Sequence, residues 1–169
     1  AEDIEALLKL AKEEHVGLTV IGPEAPLAAG IVDRFLNSGL RCFGPRKQAA
    51  RLESSKTFAK EFMVRHRIPT AHHSSFTDLE EAQAYLEEVG APIVVKADGL
   101  AAGKGVVVAQ KLKEAHAAVT DMLGNHRCGE AGARVVIEEF LSGEEASFIA
   151  MVGVDGAILP LATSQDHKA

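Results

Sequence analysis

Near the start of the chain, hydrophobic positions follow helical spacing and strand spacing in turn. An apolar stripe at intervals of three and four covers residues 4–11, and residues 18–21 form a short apolar strand. Pro26 favours the start of a helix, which predicts a helix over residues 27–38. Residues 41–43 predict a second strand. Because crossover connections favour parallel strands, this order predicts the later half of a βαβ sheet domain.

The rest of the chain predicts a mixed unit of helices and strands. Thr77 and Glu80 have the spacing of a capping box, and Gly90 ends the helix that follows. Turn residues and β-branched runs mark further strands, among them two runs that form a hairpin over residues 93–109. The remaining predicted elements are helices over 56–66, 79–89 and 112–123, and strands over 135–138, 146–152 and 157–163. This order fits a small α+β subdomain on one side of a cleft.

Composition narrows the class of protein. The chain has 169 residues, of which 47% are hydrophobic, enough for one domain or two small ones. Its net charge is -6, with 5% aromatic residues and no basic stripe, which argues against a nucleic-acid surface. No apolar run approaches the roughly 20 residues of a transmembrane helix, and the acidic N-terminus is unlike a signal peptide. We therefore expect no membrane partner and a cytoplasmic location, and we assign no chemistry to Cys42 or Cys128.

The most informative segment, residues 93–109, encloses three glycines and one lysine between two β-branched runs. A Walker-type loop leads from a strand into a helix, whereas Lys104 is followed by Gly105 and another β-branched run. We therefore predict a hairpin whose backbone N–H groups and Lys104 close over a polyphosphate. Lys96, on the preceding strand, supplies a second positive charge. The glycines alone fit an ordinary hairpin equally well.

Blocks of sequence along the whole chain resemble those of one enzyme family. The glycine-rich block reads Val-Val-Lys-Ala-Asp-Gly-Leu-Ala-Ala-Gly-Lys-Gly-Val, and the final block reads Ser-Gln-Asp-His-Lys. In order and spacing, the blocks are similar to those of glycinamide ribonucleotide synthetases, also called phosphoribosylamine-glycine ligases, which are ATP-grasp enzymes of purine synthesis. The blocks are 22–27, 52–56, 94–106, 137–145 and 164–168.

This resemblance implies an α/β part followed by an α+β part. The first is the end of an N-terminal βαβ, or preATP-grasp, domain, and the second is the ATP-grasp subdomain. Because family members are longer and this chain opens on a helix, we expect a fragment without the first strand-turn unit and the C-terminal half of the ATP-grasp core. The expected boundaries are 1–52 for the N domain and connector, 53–71 for the start of the ATP-grasp core, 72–142 for the lid subdomain with the glycine-rich loop, and 143–169 for the start of the remaining core.

The implied activity is ATP-dependent ligation of glycine to 5-phosphoribosylamine through a glycyl phosphate, in de novo purine synthesis. The implied cofactors are ATP and Mg²⁺ or Mn²⁺; the family's metal ligands are expected outside this chain, so no residue is assigned to a metal. Glycine and phosphoribosylamine are the implied partners. Two other classes stay open, namely another ATP-grasp carboxylate ligase or carboxylase, and a nucleotide-binding regulatory module without ligase activity. The fragment by itself is expected to be incomplete for catalysis.

Lysines and glycines are the expected phosphate contacts. Lys96 lies between apolar strand neighbours, where an unpaired ammonium is costly to bury, and the resemblance places it on the ATP phosphates. Lys56 opens a helix, a poor site for a cation because that end of the helix dipole is positive. The resemblance makes it a second phosphate contact, and a solvated surface lysine is the alternative. By resemblance, Lys104 belongs to a flap over the phosphates with Gly99, Gly103 and Gly105.

Carboxylates and polar residues complete the expected site. Taken alone, the glutamate pairs at 138–139 and 144–145 are typical of solvated surfaces, and only the resemblance assigns them to the nucleoside. By that resemblance the adenine contacts are Glu138, Glu139, Phe140 and Leu141, and the ribose contact is Glu145. The expected substrate contacts are Gly22, Pro23, Glu24, Ser164, Asp166, His167 and Lys168. For Asp166, His167 and Lys168, a frayed chain end is the alternative. Lys96, Lys104 and Asp166 are expected to take part in catalysis.

Overall fold

The computed structural model describes residues 2–101 and 105–167, within which two hydrophobic clusters form. The first cluster lies among the N-terminal elements. These are α1 (Ile4–Glu13), β1 (Thr19–Val20), α2 (Glu24–Ala29), α3 (Ile31–Asn37), β2 (Cys42–Phe43) and α4 (Lys47–Ser54). Phe35, Ile31 and Val32 of α3 are almost fully buried in this cluster together with Leu8 of α1. The apolar stripe of the first helix therefore faces a core, as its spacing predicts.

The strands β1 and β2 lie side by side as a parallel pair, which confirms the prediction from crossover topology. Thr19 pairs with Cys42 in this ladder. Two helices connect the strands instead of the one predicted over 27–38, because Gly30 adopts a φ of +98°. A left-handed residue of this kind ends α2 before α3 begins. The helix α4 runs across the boundary expected at residue 53 and buries Ala50 in the first cluster.

The second part is built on a four-stranded antiparallel sheet. Its strands are β3 (His73–Phe76), β4 (Ile93–Ala97), β5 (Val106–Ala109) and β6 (Val135–Glu139), in the order β3-β6-β4-β5. Its helices are α5 (Lys56–Arg65), α6 (Leu79–Val89), α7 (Leu112–Val119) and a short 3-10 helix, Gly129–Gly132. Each strand pairing is antiparallel, which confirms the hairpin predicted over 93–109 and gives this part its α+β architecture.

One face of this sheet forms the second hydrophobic cluster with α6 and α7. Alternate residues of β4 and β6, among them Val95 and Ile137, are fully buried there beside Leu86. Because successive strand residues point to opposite faces, Lys96 and Glu138 lie on the other face. The sheet therefore separates an apolar core from a polar face, and the polar face carries the candidate site.

The helices of the second part differ from the sequence prediction mainly at their ends. Ser55 caps α5 by accepting the Phe58 N–H with its side-chain oxygen. The helix α6 spans the predicted residues, but its cap is Asp78 rather than Thr77. The helix α7 ends at Val119, and Thr120–Gly124 continue as a π-helical turn. None of the helices in the two described ranges is long and apolar enough to cross a bilayer.

The residues after β6 form two short antiparallel strand pairs. The strands are β7 (Glu145–Ser147), β8 (Ala150–Val152), β9 (Ile158–Pro160) and β10 (Ser164–Asp166). The strand β8 pairs with β9 across residues 153–157, and β7 pairs with β10. The single strand predicted over 146–152 is therefore two strands with separate partners, and the sequence pattern does not predict β10.

Candidate functional site

The polar face of the four-stranded sheet combines a cation with exposed apolar surface. Lys96 pairs with Val106 on one side and with Val136 on the other, so the three side chains share this face. Val106 is 47% exposed, and Val108, on the same face, is 49% exposed. A cation beside an open apolar strand surface suits a ligand that has one anionic part and one flat apolar part.

Three charged side chains meet on this face. Oε2 of Glu138 accepts a hydrogen bond from Lys96 Nζ at 2.9 Å and forms an ion pair with Lys60 Nζ at 3.0 Å. Lys60 also donates to Thr70 Oγ1 at 2.8 Å. Lys60 and Glu138 are buried, whereas the Lys96 side chain is 27% exposed. The cluster therefore holds Lys96 in place and leaves part of it accessible to a ligand.

The sequence interpretation missed Lys60, the buried lysine of this cluster. It lies one helical turn after Lys56 on α5, so the two side chains project from the same side of the helix. On that side, the Thr57 hydroxyl lies 3.1 Å from Ser75 Oγ of β3. The helix α5 thus packs across the polar face of the sheet. A lysine at helical spacing from an expected phosphate contact is the signal that could have identified Lys60.

Asp98, directly after β4, joins the sheet to the start of α5. Its carboxylate accepts the Thr57 N–H at 2.6 Å and the Ser55 hydroxyl at 3.2 Å. The backbone carbonyl of Asp98 accepts the Lys56 N–H at 3.1 Å. A carboxylate at a helix N-terminus satisfies free N–H groups and interacts favourably with the helix dipole. The elements that carry Lys56 and Lys96 are therefore fixed to each other at this junction.

Lys56 lies beside the start of the glycine-rich loop. Its ammonium donates to the carbonyl oxygen of Gly99 at 3.2 Å, and the residue is half-buried. This carbonyl offsets the unfavourable position of a cation at the start of a helix. Lys96 stands on β4, just before the loop. The two lysines expected to bind phosphate therefore flank the same turn of chain.

Two glycines of the loop are required by the packing of the protein itself. A Cβ on Gly99 would lie 2.9 Å from the Cα of Ala131, and a Cβ on Gly105 would lie 2.6 Å from the Cβ of Ala101. Neither position can take a larger residue unless its neighbours move, because protein interiors have little free volume. Gly103 and Lys104 lie outside the described residues, so the flap over the phosphates stays a prediction.

Glu138 begins the segment expected to contact adenine. The residue is 5% exposed, and its carboxylate already binds two lysines. Glu139 is exposed, and its carboxylate accepts the His72 N–H at 3.2 Å. Phe140 and Leu141 follow β6 and are exposed. The fold therefore brings Glu138 into direct contact with Lys96 and leaves the two apolar residues accessible beyond the end of the strand.

Glu145 and Asp166, expected to contact ribose and substrate respectively, are register partners in the β7–β10 ladder. This ladder is a two-stranded sheet, distinct from the sheet that carries Lys96. Ser164 lines a surface groove with Glu145. His167 follows β10, and Lys168 lies outside the described residues. The β7–β10 ladder thus places Glu145, the expected ribose contact, opposite Asp166, an expected substrate contact.

Gly22, Pro23 and Glu24 follow the carboxyl end of β1, where open α/β sheets place ligands. Pro23 is extended, with φ −72° and ψ 144°, and precedes α2 as its cap. Glu24 is the first residue of that helix, a favourable place for a carboxylate. These residues belong to the N-terminal part, whereas the lysine cluster belongs to the four-stranded sheet.

Metal-ligating side chains do not cluster in the described part of the chain. Across residues 2–101 and 105–167, no group of three or more His, Cys, Asp or Glu side chains is placed to hold a metal ion. Magnesium usually takes one or two protein carboxylates and otherwise binds water and phosphate oxygens.

Models of two domains of one enzyme family match the chain. The N domain of phosphoribosylglycinamide synthetase matches residues 1–53, and the ATP-grasp (A) domain of the same enzyme matches residues 54–169. The chain belongs to the phosphoribosylglycinamide synthetase family. The two matches meet next to Ser55, the residue that caps α5 and binds Asp98.

Bacterial relatives of this chain share one name. A phosphoribosylamine–glycine ligase of Allochromatium vinosum is 66% identical over 170 residues, and one of Pasteurella multocida is 63% identical over 169 residues. These alignments cover 100% and 99% of this chain. The chain spans 39% of the length of each of these relatives.

Solved structures show the fold that this chain shares. A phosphoribosylamine–glycine ligase of Thermotoga maritima superposes with a TM-score of 0.70 at 32% identity, covering 85% of this chain and 34% of that one. A biotin carboxylase of Campylobacter jejuni superposes with a TM-score of 0.81 at 18% identity, covering 97% of this chain and 38% of that one. The second likeness concerns the fold alone, which is the ATP-grasp fold.

Proposed function

We propose that this chain supplies phosphate-binding residues of a phosphoribosylamine–glycine ligase, an enzyme that joins glycine to 5-phosphoribosylamine with ATP. The observation that carries the proposal is the environment of Lys96. Its ammonium is partly exposed, is held by the buried carboxylate of Glu138, and lies beside exposed valines. That arrangement suits the phosphates of a nucleotide next to an apolar surface. The identity of 61–66% to relatives named phosphoribosylamine–glycine ligase supports the substrates.

The proposed reaction activates a carboxylate, because a carboxylate is a poor electrophile. A carboxylate oxygen of glycine attacks the γ-phosphorus of ATP, the bond to the β-phosphate oxygen breaks, and ADP and glycyl phosphate form. The amine of phosphoribosylamine then attacks the carbonyl carbon, phosphate leaves, and the new amide nitrogen loses a proton. No covalent bond to the protein is needed, so the protein positions the reactants and neutralises charge.

Lys96 and Lys56 bind the phosphates in this proposal. Each already binds an oxygen acceptor, Lys96 the Glu138 carboxylate and Lys56 the Gly99 carbonyl, so both ammoniums are oriented before a ligand arrives. Such preorganisation lowers the cost of binding. Lys104 is assigned to the same phosphates, together with the backbone of Gly99, Gly103 and Gly105.

The nucleoside and the other substrates take the remaining positions. The segment of Glu138, Glu139, Phe140 and Leu141, at the end of β6, is assigned to adenine, and Glu145 to ribose. The residues assigned to glycine and phosphoribosylamine are Gly22, Pro23, Glu24, Ser164, Asp166, His167 and Lys168. Asp166 joins Lys96 and Lys104 in the catalytic set. Mg²⁺ or Mn²⁺ would accompany the nucleotide, held largely by phosphate oxygens.

Substrate dependence tests the reaction in the full-length product of the gene that encodes this chain. ADP release is measured with ATP, glycine and phosphoribosylamine, and again with each substrate omitted. We expect release to require both glycine and phosphoribosylamine. Sustained ADP release without glycine, or with bicarbonate in its place, would point to another ATP-grasp reaction and contradict the proposal.

A pair of lysine variants tests the assignment of Lys96. Lys96→Met removes the ammonium and is expected to lower kcat/KM by about 100-fold, as loss of one charge-stabilising group commonly does. Lys113→Met removes an exposed lysine of α7 and should leave kcat/KM unchanged. Full activity in Lys96→Met would exclude Lys96 from the phosphate site.

A further inference from the structure

Lys60 is a buried lysine with no part in the reaction described above. The residue is 7% exposed, and its ammonium lies 3.0 Å from Glu138 Oε2 and 2.8 Å from Thr70 Oγ1. A buried ammonium is costly unless it is paired and hydrogen-bonded, and these two partners meet that need. Lys60 and Glu138 would be a complete ion pair by themselves. The same carboxylate oxygen, however, also accepts Lys96.

The cluster carries one net positive charge, because two ammoniums share one carboxylate. The Lys60 side chain is 9% exposed and the Lys96 side chain is 27% exposed, so the excess charge reaches the surface at Lys96. Without Lys60, Lys96 and Glu138 would form a neutral pair. Glu138 would then neutralise the positive charge of Lys96 that attracts a phosphate.

We infer that Lys60 is a positioning residue for phosphate binding, which neutralises Glu138 so that Lys96 keeps its charge for an anion. The inference rests on the proposed function, in which Lys96 contacts the phosphates of the nucleotide. Loss of Lys60 lowers the local charge by one unit, and the attraction for a polyphosphate falls with it. The helix α5 thus contributes to the site through a side chain that does not touch the ligand.

Binding of MgATP and of adenosine separates the effect of charge from that of shape. Adenosine has the nucleoside without phosphates, so the ratio of its Kd to the Kd of MgATP reports the phosphate contribution. Titration calorimetry on the full-length gene product gives this ratio for wild type, K60M, E138Q and K60M/E138Q. Lys113→Met is the matched control for the loss of a lysine elsewhere on the surface.

We expect K60M to lower the ratio by about tenfold, because the cluster becomes neutral. In K60M/E138Q the cluster regains one net positive charge, and the ratio should return to within about threefold of wild type. Lys60→Arg keeps the charge and should keep the ratio. A purely structural Lys60 would give no such recovery, since the double variant has lost both members of the buried pair.

An unchanged ratio in K60M, or a double variant no better than K60M, would overturn the inference. If K60M does not fold, the double variant K60M/E138Q decides the question. The inference requires the Kd ratio of the double variant to lie within about threefold of wild type. A double variant that has lost its preference for MgATP would overturn the inference. A wild-type protein that binds MgATP no more tightly than adenosine would overturn the proposed function and this inference together. A wild-type preference that K60M retains would overturn the inference alone.

Discussion

Replacing Asp98 by alanine should weaken both the fold and the proposed phosphate site. The substitution removes the acceptor of the Thr57 N–H, which it binds at 2.6 Å, and of the Ser55 hydroxyl, which it binds at 3.2 Å. Thr57 is buried, so its N–H would lose a partner without free access to water. The start of α5 would also lose the carboxylate that complements its dipole.

The expected magnitude follows from the hydrogen bonds that are lost. A hydrogen bond to a charged group contributes about 1.5–3 kcal/mol, whereas a hydroxyl that can turn to another acceptor contributes less. We expect Asp98→Ala to lower the free energy of unfolding by about 2–3 kcal/mol. Asp98→Asn keeps an acceptor oxygen and loses only the charge, so it should lower the free energy by about 1 kcal/mol.

Urea unfolding of the full-length gene product, followed by circular dichroism, measures these differences. Asp78→Ala is the matched control, because it removes one cap hydrogen bond from α6 and should cost about 1 kcal/mol. Since Asp98 fixes α5 to β4, Asp98→Ala should also raise the Kd for MgATP, which Asp78→Ala should not. The reasoning is refuted if Asp98→Ala is as stable as wild type, or if it binds MgATP as tightly.

Further predictions concern packing, thiol reactivity and pH. Gly105→Ala would place a Cβ 2.6 Å from an alanine methyl group and should lower the free energy of unfolding by about 1–3 kcal/mol. Gly17→Ala is the control, because a Cβ there meets open space, and it should change the free energy of unfolding by less than about 0.5 kcal/mol. Equal melting temperatures for the two variants would contradict the packing role of Gly105. Burial raises the pKa of the Cys42 thiol, so iodoacetamide should alkylate it more slowly in the folded protein than in urea, as peptide mass spectrometry can measure. The hydrogen bond from Arg34 lowers the pKa of the Glu5 carboxyl below its ordinary value of 4.5. The Arg34–Glu5 ion pair therefore stabilises the folded protein above pH 4.5, and this stabilisation is lost as the pH falls through the folded-state pKa of Glu5. Glu5→Gln should therefore lower stability near neutral pH and not in strong acid, and added salt should shrink the difference in urea unfolding.

Local patterns predict the elements whose formation depends on neighbouring residues. The helix α6 spans the residues that its periodicity indicates, and the β4–β5 hairpin follows from two β-branched runs around the glycine-rich loop. Alternation along β4 commits Val95 to the core and leaves Lys96 on the opposite face. The position of Lys96 on the face opposite the core is therefore visible in the sequence.

Pairing between distant segments is not visible in this way. The ladder between β7 and β10 joins strands separated by the whole β8–β9 hairpin, and short strands carry little periodic signal. Gly30 is another case, since a glycine in a helical pattern can either continue the helix or end it. Its left-handed φ ends α2, and a Cβ there would lie 3.3 Å from the Lys47 side chain.

The sequence by itself determined the expected class of ligand, through Lys56, Lys96 and a loop of glycines between two strands. Only the tertiary structure decided that Lys60 and Asp98 support these residues, since α5, β4 and β6 come from separate stretches of chain. The physical reason is that the energy of a charge depends on its burial and its partners. Burial and partners are set when distant segments pack together, and the spacing of residues along the chain specifies neither of them.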